Sequence, residues 1–405
     1  MLATRVWKGD AMPGPLEGIK VVDFSAVISG PLCSMILADQ GADVVKVEAP
    51  RRPDLLRKEW YFRGGLTSMF VNCNRGKRSV AIDLQSEQGI EAVYALCDQA
   101  DVVLENFRPG VMERLKVGPE DLHARNPGLV YCRISGYGQT GPWSGKRAYD
   151  PVTQATTGYV AIQNNPEVPV PDLVRNALVD KATAYSAAQA ITAALLARER
   201  GQEGQTVALS LLDAGLAFFW PDGMMKNTML GEGTREGPAL YDRYRLTETR
   251  DGHIVMWAGL DNEWHAVFRC LGLPELCEDE RFATGRARKE NGEALGALLY
   301  DEFRKWTTDE IMQRMEEEQV PGGPVLPLEA VPENIQIQHN QTVYEVEHPT
   351  AGRMRQCRPA ALFSRTQAEA GAVAPLFGEQ TDEVLGEVGF TPDQISEMRK
   401  SGSIE

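Results

Sequence analysis

Residues 19–48 read IKVVDFSAVISGPLCSMILADQGADVVKVE, and their pattern is the clearest indication of the fold class. It holds two β-branched runs, at 19–24 and 42–48, separated by PLCSMILADQ, which has the length and apolar content of a helix. Strands that alternate with helices predict βαβ units, in which the strands run parallel and the helices cover the sheet. The stretch therefore indicates an α/β protein.

The same alternation continues along the chain. Three more strand patterns follow, with helix patterns before and between them: SVAIDL (79–84), DVVLENF (101–107) and LVYCRIS (129–135). Such a series predicts a mostly parallel sheet covered on both faces. Residues 177–200 have the strongest helix pattern, because they are rich in alanine and are followed by Gly201, a residue favoured just beyond a helix. So many small side chains predict close packing against neighbouring backbone.

The second half of the chain has a different pattern. After the Gly-rich stretch 230–238, two strand-like runs precede three helix patterns, which predicts a smaller α+β domain. The strand-like runs are ALYDRYRLTE (239–248) and HIVMWAG (253–259), and the helices are expected near 262–272, 295–306 and 308–318. Residues 319–334 are rich in Pro and Gly and are interpreted as a linker. The predicted domains are a large domain at 1–225, a small domain at 226–330, and a linker with a return to the large domain at 331–405.

Composition excludes several classes of protein. The formal net charge of -15 argues against nucleic acid as a partner, because binding phosphates needs a basic surface. No stretch approaches the eighteen or so uninterrupted apolar residues of a membrane span. The N-terminal residues lack the apolar core of a secretory signal, and seven scattered cysteines without a CxxC pair indicate reduced thiols. We expect a cytoplasmic protein that binds neither nucleic acid nor membrane.

One motif resembles a dinucleotide-binding fingerprint. Residues 136–141 read GYGQTG and match GxGxxG after a predicted strand. A true fingerprint opens a helix whose free N–H groups meet the pyrophosphate, whereas PWSGK follows here without helical periodicity. We interpret the motif as a loop that a ligand can approach closely. The five histidines have no metal-ligand spacing, so no metal site is expected.

Basic residues cluster at two predicted strand ends. Arg75, Lys77 and Arg78 directly precede SVAIDL, and Asn106 and Phe107 follow DVVL with Arg108 and Arg114 close behind. Ligands of open α/β sheets bind at strand ends, so these clusters suit an anionic, phosphate-bearing ligand. Solvated surface charge is the alternative interpretation of the same residues.

Several of these segments resemble one known family. The chain is similar to the class III (CaiB/BaiF-type) CoA-transferases in order and spacing over residues 15 to about 395. The matching segments are PLEGIKVVDFSAVISGPLCSMILADQGADVVKVEAP, NRGKRSVAIDL, VLENFRPGVMERL, NPGLVYCRISGYGQTGP, AYDPVTQATTG, LVRNALVDKATAYSAAQAITAALLARERGQEGQ and FGEQTDEVLGEVGF.

The resemblance implies a fold and a ligand site. It implies a Rossmann-like large domain with a parallel sheet, built from both chain ends, a smaller inserted domain, and two protomers interlocked as a homodimer. CoA binding is expected from positions that match the family: Arg75, Lys77, Arg78, Asn106, Phe107 and Arg114. Substrate contacts are expected from Gly136, Tyr137, Tyr149 and Ile28.

The resemblance also assigns the nucleophile to Asp180, in the segment LVDKATA. Asp180 stands at the predicted start of the Ala-rich helix, where an isolated Asp is ordinarily a cap and where the helix dipole would keep it ionised. The implied reaction moves CoA from an acyl-CoA to a small carboxylic acid through a mixed anhydride and an aspartyl-CoA thioester. It uses CoA thioester as substrate and no permanently bound cofactor.

Two other functions are compatible with this fold. An α-methylacyl-CoA racemase exchanges a proton at the α-carbon and carries His before Asp150, whereas this chain has Tyr149, a poorer base near neutrality. A non-catalytic acyl-CoA-binding protein would not need Asp180. Within the transferases, Ile28 replaces the Gln of formyl-CoA:oxalate enzymes, so another small acid, such as a dicarboxylate, is expected.

Overall fold

The computed structural model describes residues 14–58, 60–163, 171–234, 237–366 and 372–405. These residues form two compact units, one from 14–234 and 340–405 and the other from 237–339. The N-terminal stretch judged to lack a secretory signal lies outside the described residues, as do two positions of the Gly-rich stretch 230–238.

The strands of the described residues are short and lie mainly in the first half of the chain. They are β1 (Lys20–Asp23), β2 (Asp43–Glu48), β3 (Phe62–Arg63), β4 (Leu66–Thr67), β5 (Lys77–Ala81), β6 (Val102–Glu105), β7 (Val130–Ser135), β8 (Thr206–Ser210), β9 (Thr247–Glu248), β10 (His253–Met256), β11 (Gly322–Pro324), β12 (Val343–His348) and β13 (Gly352–Cys357).

Helices connect or cover these strands. They are α1 (Ser29–Asp39), α2 (Ser68–Asn74), α3 (Glu87–Asp98), α4 (Val111–Arg114), α5 (Pro119–Arg125), α6 (Asp150–Thr157), α7 (Tyr159–Ile162), α8 (Leu178–Glu199), α9 (Leu211–Gly223), α10 (Met225–Thr228), α11 (Asp261–Cys270), α12 (Gly285–Glu290), α13 (Gly292–Phe303), α14 (Thr308–Glu317), α15 (Ile335–His339), α16 (Thr381–Glu387) and α17 (Pro392–Ser401).

The large unit is built on a six-stranded sheet whose neighbouring strands are all parallel. Its spatial order is β5-β2-β1-β6-β7-β8, which is 3-2-1-4-5-6 when the strands of this sheet are counted along the chain. That is the strand order of doubly wound nucleotide-binding folds. The expectation of a parallel α/β sheet is confirmed.

Each face of this sheet carries its own apolar core. On one face, α8 contributes Ala184, Ala187, Ala188 and Ile191, which pack with Cys33 and Leu37 of α1 against the valines of the strands. On the other face lie apolar residues of α3. The small side chains let α8 lie close to α1, as the Ala-rich pattern predicts.

The C-terminal segment returns to this unit but adds helices in place of strands. All six strands of the large sheet lie between Lys20 and Ser210, so both chain ends build the large unit as expected, and the C-terminal end contributes to it without adding a strand to this sheet. Residues of α16 and α17 instead complete the core on the α3 face, with Leu385 and Met398 buried there. Gln380 accepts a hydrogen bond from the backbone N–H of Ser79 at 2.8 Å, which fixes this segment to β5.

The second unit has a three-stranded antiparallel sheet, in the order β11-β10-β9, with α11, α13 and α14 around it. Residues 239–248 form a short 3-10 helix at Leu240–Arg243 before the two-residue β9, so the long strand expected there is absent. The stretch interpreted as a linker supplies β11, because Gly323 pairs with Val255 of β10. Pro324 occurs here at a sheet edge, where a missing N–H is tolerated.

No helix within the described ranges is long and apolar enough to cross a membrane.

Candidate active site

A pocket of about 260 Å³ opens at the carboxyl ends of β1, β6 and β7. The sheet order reverses between β1 and β6, and crevices at such a switch point are the usual ligand sites of open α/β sheets. The lining residues come from the end of β7, from the loops that follow the three strands, and from the starts of α1, α8 and α9: Ala26, Val27, Ser29, Asn106, Phe107, Arg108, Pro109, Ile134, Ser135, Gly136, Ser144, Lys146, Arg147, Ala148, Tyr149, Asp180 and Leu211.

Asp180 lines this pocket and is 8% exposed. It is the third residue of α8, and Ala177 occupies the N-cap position without a side-chain cap. Burial raises the pKa of the Asp180 carboxyl to about 7, with Asp150 adding to the increase and a hydrogen bond with Ser29 opposing it. The helix dipole expected from the sequence is therefore opposed by burial and by a like charge, and the Asp180 carboxyl gains and loses its proton close to neutral pH.

Asp150, the first residue of α6, supplies the missing cap of α8. Its Oδ2 accepts the backbone N–H of Asp180 at 2.9 Å, so one unpaired N–H of the first helical turn is satisfied from another helix. Its Oδ1 accepts a hydrogen bond from Gln154 Nε2 at 2.5 Å. The nucleophile candidate is thus held by a buried carboxylate that is thirty residues earlier in the chain.

The loop after β1 forms the opposite wall and is held in a strained conformation. Val27 has a φ of 69°, which is unfavourable for a β-branched residue. Asn106 fixes Ala26, the residue before Val27. Its Oδ1 accepts from the Ala26 N–H at 2.8 Å, and its Nδ2 donates to the Ala26 carbonyl at 2.7 Å. Asp54 Oδ1 accepts the Val27 N–H at 3.1 Å. A strained backbone conformation persists only where several surrounding groups hold it in place, and such conformations are frequent beside functional sites.

Lys77 lies beneath this loop and does not reach the pocket. It is the first residue of β5, since that strand begins two residues earlier than SVAIDL predicts. Its ammonium is fully buried and pairs with Asp23 at 3.0 Å, and it also donates to Asn74 and to the Pro31 carbonyl. Burial lowers the pKa of Lys77 below its ordinary value. In this structure Lys77 stabilises the interior and is not free to contact CoA.

Asp23 and Lys46 continue this buried ionic network. Burial raises the pKa of Asp23, but Lys77, Lys46 and hydrogen bonds from Ser25 and Ser34 outweigh it, so the pKa is lowered to about 2. Lys46 pairs with Asp54 at 3.0 Å and donates to the Ser25 carbonyl at 2.7 Å. The network therefore fixes the backbone of the loop after β1.

Three further basic residues expected to bind CoA lie outside the pocket lining. Arg75 is buried in a two-point hydrogen bond with Asp39. Arg78 pairs with Asp43 and Glu387 on the surface. Arg114 lies in a separate groove beside Tyr94.

Three other cations do line the pocket, namely Arg108, Lys146 and Arg147. Arg108 belongs to a basic cluster noted in the sequence, whereas Lys146 and Arg147 were not expected at the site. Among the described residues none of them has an ion-pair partner, and all are exposed. A sequence signal was present, since Arg108 lies in the loop after β6 and the Lys146–Arg147 pair directly precedes the AYD segment. Exposed positive charges that line a site fit an anionic substrate.

The predicted substrate contacts divide into two groups. Gly136 and Tyr149 line the pocket, as do Asn106 and Phe107 from the CoA-binding set. Tyr137 instead packs edge-on against Trp143, with ring centroids 5.3 Å apart, and Ile28 packs with Val27 at the margin of the apolar cluster around Leu56. Asn106, Phe107, Gly136, Tyr149 and Asp180 are therefore brought together.

The GxGxxG motif does not open a helix. The chain makes turns from Gly136 to Tyr149, and the next helix, α6, begins at Asp150. A side chain at Gly136 would overlap Ala148, so this glycine is required for close packing of the loop on itself. In the described part of the chain no group of His, Cys, Asp and Glu residues is arranged to hold a metal ion.

The family model described as CoA-transferase family III matches residues 16–381. The chain is 32% identical to the succinyl-CoA:glutarate CoA-transferase of Homo sapiens, over 96% of this chain and 90% of the relative. It is also 32% identical to the succinyl-CoA–D-citramalate CoA-transferase of Chloroflexus aurantiacus, over 96% of this chain and 97% of the relative. The crystal structure of a CaiB/BaiF family protein from Brucella suis superposes with a TM-score of 0.82 at 30% identity, covering 93% of this chain and all of that one.

This chain belongs to CoA-transferase family III. It is an enzyme that transfers CoA between an acyl-CoA and a carboxylic acid, which confirms the function predicted from the sequence. The racemase alternative is excluded by the same matches.

Proposed function

We propose that this enzyme moves CoA from succinyl-CoA or a similar dicarboxylic acyl-CoA to a second small dicarboxylic acid, with Asp180 as the nucleophile. The observation that carries this proposal is a buried carboxylate in a pocket that is also lined by three exposed cations, none of which has an ion-pair partner among the described residues. The two relatives above are named for succinyl-CoA and for glutarate or citramalate, which are dicarboxylates.

The reaction begins when an Asp180 oxygen attacks the thioester carbonyl of the donor. The C–S bond breaks, CoA leaves as the thiolate, and Asp180 becomes one half of a mixed anhydride. The thiolate then attacks the Asp180 carbonyl, so that the donor acid leaves and an aspartyl-CoA thioester forms. The acceptor carboxylate attacks this thioester, and the thiolate finally takes the acceptor acyl group from the anhydride and regenerates the Asp180 carboxylate.

Burial of Asp180 serves this sequence in two ways. A carboxylate with a raised pKa is a stronger nucleophile than an ordinary aspartate once it has lost its proton. Exclusion of water also protects both acyl intermediates from hydrolysis. Arg108, Lys146 and Arg147 would hold the free carboxylate of the dicarboxylic substrate or the phosphates of CoA.

The rest of the binding site is assigned by its position. Asn106 and Phe107 border the pocket and would contact CoA, with the large unit as the CoA-binding domain, while Gly136 and Tyr149 would contact the acyl group. Arg114 could reach CoA from the neighbouring groove, whereas Lys77 would first have to leave Asp23. We also propose an interlocked homodimer and a cytoplasmic location, which the free thiols of all seven cysteines suit.

Covalent trapping tests the role of Asp180. The enzyme is incubated with succinyl-CoA, treated with hydroxylamine or borohydride, and digested for peptide mass mapping. We expect modification at Asp180, absent in Asp180→Asn and retained in Asp172→Asn, an exposed aspartate earlier in the chain. Because the carboxylate is the attacking form, the trapping rate should rise with pH and level off above a midpoint near pH 7.

An unmodified Asp180, in an enzyme that still turns over succinyl-CoA and glutarate, would contradict the proposed nucleophile. Turnover restricted to monocarboxylic acceptors would contradict the proposed substrate class and leave the nucleophile in place.

A further inference from the structure

Two residues of α6 hold the segment that leads into α8. Gln154 Nε2 donates to the carbonyls of Val174 and Asn176 at 3.1 and 3.0 Å, and Gln154 Oε1 accepts the Val174 N–H at 3.0 Å. Asp150, one turn earlier on the same helix, accepts the Asp180 N–H. The side chains of Asp150 and Gln154 are 4% and 2% exposed, and the hydrogen bond between Asp150 and the Asp180 N–H is buried.

The position of Asp150 differs from that of an ordinary helix cap, because the residue it binds is the nucleophile candidate itself. Both Asp150 oxygens accept from N–H donors, which suits a carboxylate better than the protonated acid. A negative charge is thereby held next to the Asp180 carboxyl group in a buried environment. Like charges in such surroundings repel strongly, since little water screens them.

We propose that Asp150 is a positioning residue for Asp180, which fixes the first turn of α8 and, through its charge, favours the uncharged, acylated forms of Asp180 over the free carboxylate. This inference rests on the proposed role of Asp180 as the nucleophile. Formation of the aspartyl-CoA thioester removes the negative charge from Asp180 and releases it as the donor acid. A fixed charge on Asp150 therefore shifts this equilibrium toward the thioester.

The raised pKa of Asp180 agrees with this arrangement, because burial is its first cause and Asp150 its second. Other groups face Asp180 as well. Ser29 of α1 opposes the increase, and the sulfur of Cys73 on α2 is close enough for its own pKa to be raised in part by Asp180. The cations that line the pocket would stabilise the carboxylate: Arg108, Lys146 and Arg147. These groups stay the same in the variants below.

Carbodiimide labelling of Asp180 as a function of pH tests the proposal without needing turnover. The protonated carboxyl group is the reactive form, so labelling of the wild-type enzyme should fall with rising pH around a midpoint near 7. Asp150→Asn removes the charge and should lower that midpoint by about one unit or more, a tenfold change in the protonation equilibrium. If Asp150→Asn fails to fold, Asp150→Ser is used instead, because an uncharged serine hydroxyl can also accept a hydrogen bond from the Asp180 N–H.

Gln154→Met is the matched control. It removes the Gln154 hydrogen bonds to Val174, Asn176 and Asp150 Oδ1 but keeps the carboxylate of Asp150 and its bond to the Asp180 N–H, so the midpoint should stay near that of the wild-type enzyme. An equal shift in both variants would mean that loosening of the segment before α8 is the cause, and no shift in either would mean that Asp150 does not act on Asp180. Either result overturns the proposal.

A second readout follows the thioester itself. With fixed succinyl-CoA and succinate near pH 8, intact mass measurement should show a smaller aspartyl-CoA fraction in Asp150→Asn than in Gln154→Met. Equal fractions would overturn the inference about Asp150. If Asp180 of the wild-type enzyme is never acylated, the proposed function fails, while the labelling midpoints still decide whether Asp150 acts on Asp180.

Discussion

At the scale of single residues, the position of a charge in the sequence did not reveal whether that charge is free. Lys77 and Arg75 stand in the densest basic cluster of the α/β half, yet both are buried against aspartates. Arg108 and Arg147 stand in less conspicuous places and face the pocket unpaired among the described residues. The two charges of a buried ion pair already satisfy each other, and removing one partner is costly. The charged groups of such a pair are therefore not available to bind a ligand.

Substitution of the pocket cations tests this distinction. Arg147→Gln and Arg108→Gln should each raise the KM for a dicarboxylic substrate by roughly tenfold, because a charge-assisted hydrogen bond contributes about 1.5–3 kcal/mol. The change in kcat should be smaller than the change in KM, because neither arginine is expected to contact the reacting carbonyl. Steady-state kinetics with succinyl-CoA and glutarate provide the measurement. Arg125→Gln, which removes an exposed pair with Asp98, should leave KM unchanged.

If the pocket variants and Arg125→Gln behave alike, the cations do not bind substrate. A rise in KM for succinyl-CoA alone, with no change for glutarate, would instead place both arginines on the CoA portion.

At the scale of elements, α6 caps the N-terminus of α8 although the two helices are separated in the sequence. The sequence predicts α8 from its own composition, and the helix is present at Leu178–Glu199. Its N-terminus lacks a side-chain cap at Ala177 and takes one from Asp150 of α6. Local patterns predict helices well because propensity acts within a few turns, whereas a cap from another helix depends on packing.

The turn segment between β7 and α6 depends on a single small residue. Gly136 does not need a positive φ, but a Cβ there would overlap Ala148. Gly136→Ala should therefore displace the residues before Asp150 and reduce kcat/KM by about tenfold or more, as misplaced groups typically do. Ala148→Gly in the same chain removes the atom that clashes and should restore most of the activity.

Steady-state kinetics and thermal denaturation of the single and double variants check this explanation. Failure of the double variant to recover, with a normal melting temperature, would show that Gly136 acts by contacting substrate and not by making room.

At the scale of the whole molecule, the C-terminal segment completes a core that the N-terminal half begins. Val384, Leu385, Met398 and Ile404 pack in the same cluster as Val22 and Val80 of the large sheet. Ile404 also forms a β-bridge with Ile82. The two chain ends therefore stabilise one unit together, and the loss of either exposes the same apolar face.

Leu385→Ala tests this shared core. The side chain is fully buried, so its truncation should lower the free energy of unfolding of the large unit by about 2–5 kcal/mol. Leu362→Ala, which truncates a leucine that is 68% exposed in the same part of the chain, should change it by less than about 0.5 kcal/mol. Urea denaturation gives both values, and equal effects would contradict the assignment of Leu385 to the core.

Much of the fold could be predicted from the sequence because strand and helix patterns are local. The five strand patterns before Gly136 all correspond to strands of the large sheet. Errors arose where a pattern was weak or irregular. Residues 239–248 carry alternating polar residues but begin with a 3-10 helix, and the Pro/Gly-rich 319–334 supplies an edge strand.

Residue order alone was enough to predict the alternation of strands and helices, the lack of a helix directly after GxGxxG, and the family to which the chain belongs. These properties depend on residue order and on interactions between near neighbours, so they can be predicted from the chain alone. The pairing of the charged side chains, the raised pKa of Asp180 and its hydrogen bond with Asp150 became visible only in the folded structure. Burial and pairing are set by residues distant in sequence, and the electrostatic free energy of a group depends on those surroundings more than on its own position in the chain.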